Sequence, residues 1–175
     1  MAQDDTDVYT GKNLDSAVMV DRQLSEKVLF GAGLGFRQAR VKQLDQADEY
    51  TLFYLLACLE WNSTDSLLDL TRGSRFAVRV APHYDVVKTD LGFFKASFNT
   101  SHYLEIVEKP NVLLAVRAGM GAIAGQLAAD IPADLRFYAG GGSIRGYPYQ
   151  KVGPLQYGNP VGGRSIQELS VEFRF

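Results

Sequence analysis

The chain has 175 residues and 46% hydrophobic content, enough for one domain. Its net charge of −2 gives no reason to expect a nucleic-acid partner. Ten Phe, nine Tyr, one Trp and 17 Gly favour an all-β fold over a helical one. The single cysteine, Cys58, excludes an internal disulfide and a cysteine-based zinc site. No run of 18 apolar residues is present, so no helix is expected to cross a membrane. The first residues, MAQDDTDVYTGKN, are acidic and polar and lack the basic and apolar regions of a secretory signal. They read as the start of a mature or excised chain. A mean hydropathy of −0.09 is compatible with a transmembrane barrel, whose strands alternate apolar and polar residues.

In chain order, strands are expected at residues 8–20, 27–37, 49–61, 75–84, 94–100, 112–121 and 168–175. Val28, Phe30, Ala32, Leu34 and Phe36 alternate with Gly31, Gly33, Gly35 and Arg37. The stretch TLFYLLACLEW, residues 51–61, is nearly continuous in apolar residues and is the least regular. The cleanest alternation sets Phe76, Val78, Val80, Pro82 and Tyr84 against Arg75, Ala77, Arg79, Ala81 and His83. Phe94, Ala96 and Phe98 oppose Lys95, Ser97 and Asn99, and Val112, Leu114 and Val116 oppose Leu113, Ala115 and Arg117. Last, Leu169, Val171, Phe173 and Phe175 oppose Glu168, Ser170, Glu172 and Arg174.

Alternation alone fits either a soluble sandwich, apolar face inward, or a barrel in lipid, apolar face outward. Strand length separates them: most of these strands have about 10–13 residues, where tilted bilayer strands need about 9–11 and soluble ones about 5–6. The second face is small and polar with scattered Arg and Lys, which also favours the barrel. Trp61, Tyr84 and Tyr103 lie near strand ends, where an aromatic girdle or ordinary edge packing would place them. Residues 21–25 and 105–110 are expected as short connections and 40–48 as a longer charged one. Residues 125–163 form the longest connection, beyond an ordinary structureless loop.

Little of this chain suggests catalysis. Gly119, Gly121 and Ala124 form a loose dinucleotide fingerprint, but no βαβ unit surrounds it and Arg117 interrupts the supposed buried strand. Glycines on the inner wall of a barrel account for it better. His83 and His102 have no second ligand at metal spacing and no nucleophile beside them, and read as strand residues at a wet boundary. Asp65 and Asp69 suit a turn rather than a calcium loop. Neither an enzymatic activity nor a cofactor is expected.

Residues 136–149, RFYAGGGSIRGYPY, stand out: three consecutive glycines precede Ile144, Arg145, Tyr147 and Tyr149, side chains expected to fold back and bury. This stretch resembles the hallmark of the outer-membrane assembly superfamily, also called the bacterial surface antigen family. The matching residues are Arg136, Phe137, Tyr138, Gly140 and Gly141, then Ile144, Arg145, Gly146 and Tyr147. Further stretches resemble its autotransporter assembly factors, the TamA branch related to BamA. These are residues 130–134, 152–154, 160–165 and 69–73, in order across roughly the last two-thirds of the chain.

The resemblance implies an all-β, antiparallel up-and-down segment of a transmembrane barrel in the bacterial outer membrane. It implies that residues 1–175 are a middle-to-late part of a barrel of about sixteen strands, without the POTRA domains or the later strands. The function it implies is assembly and insertion of outer-membrane proteins, with membrane lipid, unfolded clients and periplasmic assembly factors as partners. The loop would fold into the lumen, with Arg145 paired to Glu172 in a charge-assisted, bidentate contact. Exposed strand edges would let the segment self-associate. A two-partner-secretion transporter, a passive porin and a soluble lipid-binding barrel are the alternatives.

Overall fold

The computed structural model describes residues 2–5, 8–44, 46–65, 71–87, 91–107 and 112–175. The strands are β1 (Ala2–Asp5), β2 (Thr10–Ser25), β3 (Val28–Gln43), β4 (Gln46–Asn62), β5 (Gly73–Asp85), β6 (Gly92–Val107), β7 (Val112–Ala124), β8 (Leu155–Gln156), β9 (Asn159–Pro160) and β10 (Ser165–Arg174). One antiparallel sheet runs in the order β1-β2-β3-β4-β5-β6-β7-β10, and β8 and β9 form a separate small hairpin. All seven expected strands are present. Asp69 lies outside the described residues.

The strands extend further than alternation alone suggested. Residues 21–25 are not a connection but the end of β2, and β3 and β4 run on to a tight turn at Leu44. Beyond Phe36 the outward residues become Gln38, Arg40 and Lys42, so the apolar rhythm stops while the backbone ladder continues. Arg40 and Glu49 pair across β3 and β4 there. The β4–β5 ladder is interrupted between the pairs Tyr54↔His83 and Ala57↔Val80. Pro82 sits in that gap and has no N–H to donate.

Register divides the residues into two faces. One face carries exposed Val18, Leu34, Leu55, Val78, Met120 and Val171. The other is covered by residues 125–164, which connect β7 to β10. The apolar face is therefore bare and the polar face covered, the inverted arrangement of a strand layer facing lipid. On β3 the apolar outer run spans Val28 to Phe36. Eight rises of about 3.3 Å, tilted by about 40°, give roughly 20 Å, close to the band of about 25 Å on membrane barrels.

The core lies between the covering loop and the sheet. Ala39, Val41, Tyr50, Leu52, Phe93 and Ile123 of the sheet pack with Ile131, Ala133 and Leu135 of the loop. This explains the unbroken apolar run on β4: Leu55 and Leu59 face outward, whereas Leu52 is fully buried beneath the loop. Close backbone approach explains the inner glycines of β3. A Cβ on Gly33 would lie 2.5 Å from the Val18 carbonyl oxygen, and one on Gly35 would strike the Tyr54 ring.

Two of the aromatic and histidine side chains singled out in the sequence, Tyr103 and His83, are placed on the inner wall. Trp61 and Tyr84 face outward near strand ends, Trp61 stacked on Phe76 with centroids 4.5 Å apart. Tyr103 instead lies buried on the inner face beside Leu113 and Ala115, so it cannot join an outer girdle. His83 is stacked between Tyr54 and Phe93 within the inner wall rather than at a wet boundary, while His102 is exposed on the outer face and bonds Ser74. Asp65 holds the end of β4 in a turn by accepting from the Thr71 amide at 3.2 Å and from its hydroxyl. That hydroxyl holds the Asp65 carboxyl below the usual carboxylate range.

If the bare face meets hydrocarbon, Leu34→Arg should destabilise the protein in vesicles by about 2 kcal/mol, whereas Gln38→Arg, beyond the apolar run, should cost little. Denaturant titration in phosphatidylcholine vesicles measures both. Equal costs would move the boundary of the band.

Candidate functional site

The connection from β7 to β10 is built as a docked base and a projecting tip. Its base starts at a turn after Gly125 and reaches a single 3-10 turn, Ala133–Leu135. Phe137 pairs with Gly163 and Ala139 with Val152 through backbone bridges, which close the loop on itself. The Ile123 amide donates to the Arg164 carbonyl at 2.7 Å, tying the two ends together at the sheet. The β8–β9 hairpin turns through Tyr157 and Gly158, both with positive φ, as a two-residue hairpin turn requires.

Arg136 organises the base. Its Nε donates to the Ile131 carbonyl at 2.7 Å, Nη1 to Gln43 Oε1 at 3.1 Å and the Val161 carbonyl at 2.9 Å, and Nη2 to the Ala129 carbonyl at 3.2 Å. One guanidinium thus ties two loop segments to the end of β3. Tyr138 lies beside it and donates to the Ala133 carbonyl at 2.9 Å. Burial pushes the Tyr138 phenol up to about 12, so it stays a donor at neutral pH. A Cβ on Gly162 would meet that ring at 2.6 Å, at a backbone φ of +75°, so both space and conformation demand glycine there.

The base is fixed to the wall by charge as well as by apolar packing. Arg37 on β3 donates through Nη2 to Asp134 Oδ2 at 2.6 Å and through Nη1 to Asp15 Oδ2 on β2 at 2.7 Å. The Tyr50 hydroxyl on β4 also donates to Asp134, and the Tyr54 hydroxyl donates to Asp15 Oδ1 at 2.7 Å. The Asp134 side chain is 2% exposed and that of Arg37 16%. On the other side, Lys95 of β6 donates to the Leu135 carbonyl at 2.7 Å and lies 4.7 Å over the Phe137 ring. Three wall strands therefore grip one short loop segment.

The tip carries the motif singled out in the sequence. Gly140, Gly141 and Gly146 all adopt positive φ. The Gly140 amide donates to Ser143 Oγ at 3.0 Å and the Gly141 amide to the Tyr147 carbonyl at 2.9 Å. Ile144 is half-buried, but Tyr147 and Tyr149 are exposed rather than buried. Arg145 reaches Glu172 on β10, its Nη2 lying 3.3 Å from Oε2. This contact uses one nitrogen, is not bidentate, and leaves Arg145 82% exposed. Glu172 is shared with Arg174 at 3.2 Å and Arg117 at 3.8 Å.

The Omp85 superfamily domain matches residues 2–175. The chain belongs to the Omp85 superfamily. Its fold is also similar to the crystal structure of BamA from Haemophilus ducreyi lacking POTRA domains 1–3, with a TM-score of 0.79 and 17% identity. The match covers 94% of this chain and 37% of that one, so the chain spans just over a third of the BamA chain's length. Within this Omp85 barrel segment, the strand layer and the covering loop are the shared architecture on which the side chains described above are set.

The Arg37–Asp134 pair, together with Tyr50, Asp15 and Lys95, was not apparent from sequence. Alternation places Arg37 and Lys95 on the inner face but gives no partner for either. Arg136 and Asp134 fell within stretches that resembled the family, without a role.

Asp134→Ala leaves Arg37 desolvated beside a lost partner and should cost about 3 kcal/mol, while Arg37→Met combined with Asp134→Leu should recover much of it. Urea unfolding of the refolded protein checks this, and additive losses would mean that the two residues act separately. A double-mutant cycle on Arg145 and Glu172 should show weaker coupling than the Arg37–Asp134 cycle, because Arg145 stays in solvent.

Proposed function

We propose that this chain is the loop-bearing part of an outer-membrane protein that assembles other barrel proteins into the membrane. Membership of the Omp85 superfamily supports that reading, as does the likeness of fold to BamA. The observation that carries it is the unequal anchoring of the inner loop. Its base is locked to β3, β4 and β6 through buried groups, while the tip bearing Ile144, Arg145, Gly146 and Tyr147 rests on β10 through one exposed ion pair. Such a loop braces the wall without filling it.

Further detail follows from the resemblance. The clients are unfolded outer-membrane proteins, autotransporters among them, and periplasmic factors deliver them to the complete protein. Outer-membrane lipid surrounds the bare apolar face. Clients are engaged by strand addition at a seam, where unpaired backbone groups of a sheet edge accept an incoming strand. The work is mechanical, and no cofactor is invoked. Self-association through free strand edges follows the same physics where such an edge is left unpaired.

The test is insertion of a client barrel into lipid vesicles by the intact protein, followed by the heat-resistant mobility of the folded client. Arg145→Ala should slow insertion several-fold while leaving the protein's own heat-resistant folding unchanged. Unaltered insertion with this variant, alongside a steady ion conductance, would replace the assembly reading with a passive channel.

A further inference from the structure

One level of the inner wall carries a row made only of groups that can donate hydrogen bonds. Register sets Asn62 of β4 opposite Arg75 of β5, Arg75 opposite Ser101 of β6, Ser101 opposite Arg117 of β7, and Arg117 opposite Ser170 of β10. All five point to the covered face. Arg75 and Arg117 are separated by two strand spacings, about 10 Å, with the Ser101 hydroxyl between them. Both guanidinium side chains are about half exposed. The two flank Ser101 on the covered face, Arg75 held by Glu60 and Arg117 by Glu172.

A cavity of about 600 Å³ lies over this row. Arg79 enters from the next level of β5, and Arg145 closes the cavity from the loop tip. The cations outnumber their partners. Glu60 serves both Arg75, at 3.3 Å, and Arg79, at 2.8 Å. Glu172 serves Arg117, Arg145 and Arg174. Glu168 is the third carboxylate at the cavity, and one of its oxygens is shut off from solvent. At the cavity itself four guanidiniums, Arg75, Arg79, Arg117 and Arg145, face three carboxylates, a surplus of one positive charge. Arginine keeps its charge at any working pH and offers only donors, so protonation cannot relieve the surplus.

We propose that this cavity is a binding site for a small polyvalent oxyanion, with Arg75, Ser101 and Arg117 as its floor and Arg145 as its cover. A phosphate-type group spans the gap between two planar guanidiniums with paired N–H···O contacts, which a monovalent halide cannot do. The volume falls within the range for small-molecule sites. Free phosphate esters and lipid phosphate headgroups share this chemistry. The inward placement of the row selects the free anion. The site does not depend on the assembly activity, and its failure would leave that activity untouched.

Pyrophosphate titrated calorimetrically into the intact protein in neutral detergent tests the proposal. Saturable one-to-one binding is expected, weakening as potassium chloride is raised from 50 to 200 mM. Arg75→Gln combined with Arg117→Gln should weaken it at least tenfold, and Ser101→Ala about threefold. Arg22→Gln, on the outer face, should change nothing. Should the double glutamine variant fail to refold, Arg75→Lys with Arg117→Lys decides, since it keeps charge but loses the planar fork and should still bind several-fold more weakly. Heats that never saturate, or variants that bind as the parent does, would overturn the site. Lipid A in mixed micelles displacing pyrophosphate, where free phosphate esters do not, would overturn it in favour of a headgroup site.

Discussion

Packing of Ile131, Ala133 and Leu135 onto the inner face of β3, β4, β6 and β7 is the contact on which the rest of the structure depends. A strand layer with apolar residues outward has no core of its own, since its outer side chains meet lipid and contribute nothing to internal packing. The inner face must obtain its apolar burial from another part of the chain. The loop supplies it at one end of the sheet only, over Val41, Tyr50, Leu52, Phe93 and Ile123. At the opposite end Tyr103, Leu113 and Ala115 form a second, smaller buried cluster, and between the two the inner wall is polar and the cavity beneath the tip forms.

That packing sets the cost of the charges around it. Asp134 is carried into the wall because its neighbours Ala133 and Leu135 are buried, and there it loses its water. A lone carboxylate would not tolerate this environment. Arg37 and Tyr50 both donate to it, and Asp15 in turn binds the other arm of Arg37. The network's main value is in geometry rather than net energy, because a buried ion pair roughly breaks even against apolar residues of the same shape. It fixes one placement of the loop along the wall, since a shift by one strand residue would carry Arg37 to the lipid face.

The faces of the sheet were legible in the sequence because side chains alternate strictly along a strand, and every alternating set named there keeps its face in the structure. The strand ends were not. Arg40 and Lys42 read as loop because they are polar, but with Gln38 they are outward residues of a strand that outruns its apolar stretch. For Tyr103 a girdle and edge packing were both left open, although its odd position on β6 shares a face with Lys95 and Ser97, so the alternation already favoured the inner, packed placement. The Arg37–Asp134 pair joins residues 97 apart in the chain, and nothing local marks either as the other's partner. Arg145 and Glu172 were connected through the family motif, and the structure brings them together, but as a solvated single contact.

The two ends of the loop are held by forces of different range and sensitivity. At the base, apolar burial and desolvated hydrogen bonds resist salt, because no mobile ion reaches them. At the tip, the Arg145–Glu172 contact is exposed and shared among three guanidiniums, so screening and competition both weaken it. Raising the ionic strength therefore acts on the tip and spares the base. A loop built this way can exchange the partners of its motif while its root stays in place. The positive φ values at Gly140, Gly141 and Gly146 support the same division of labour: they let the backbone turn sharply between the fixed bridge at Ala139–Val152 and the side chains that meet the wall.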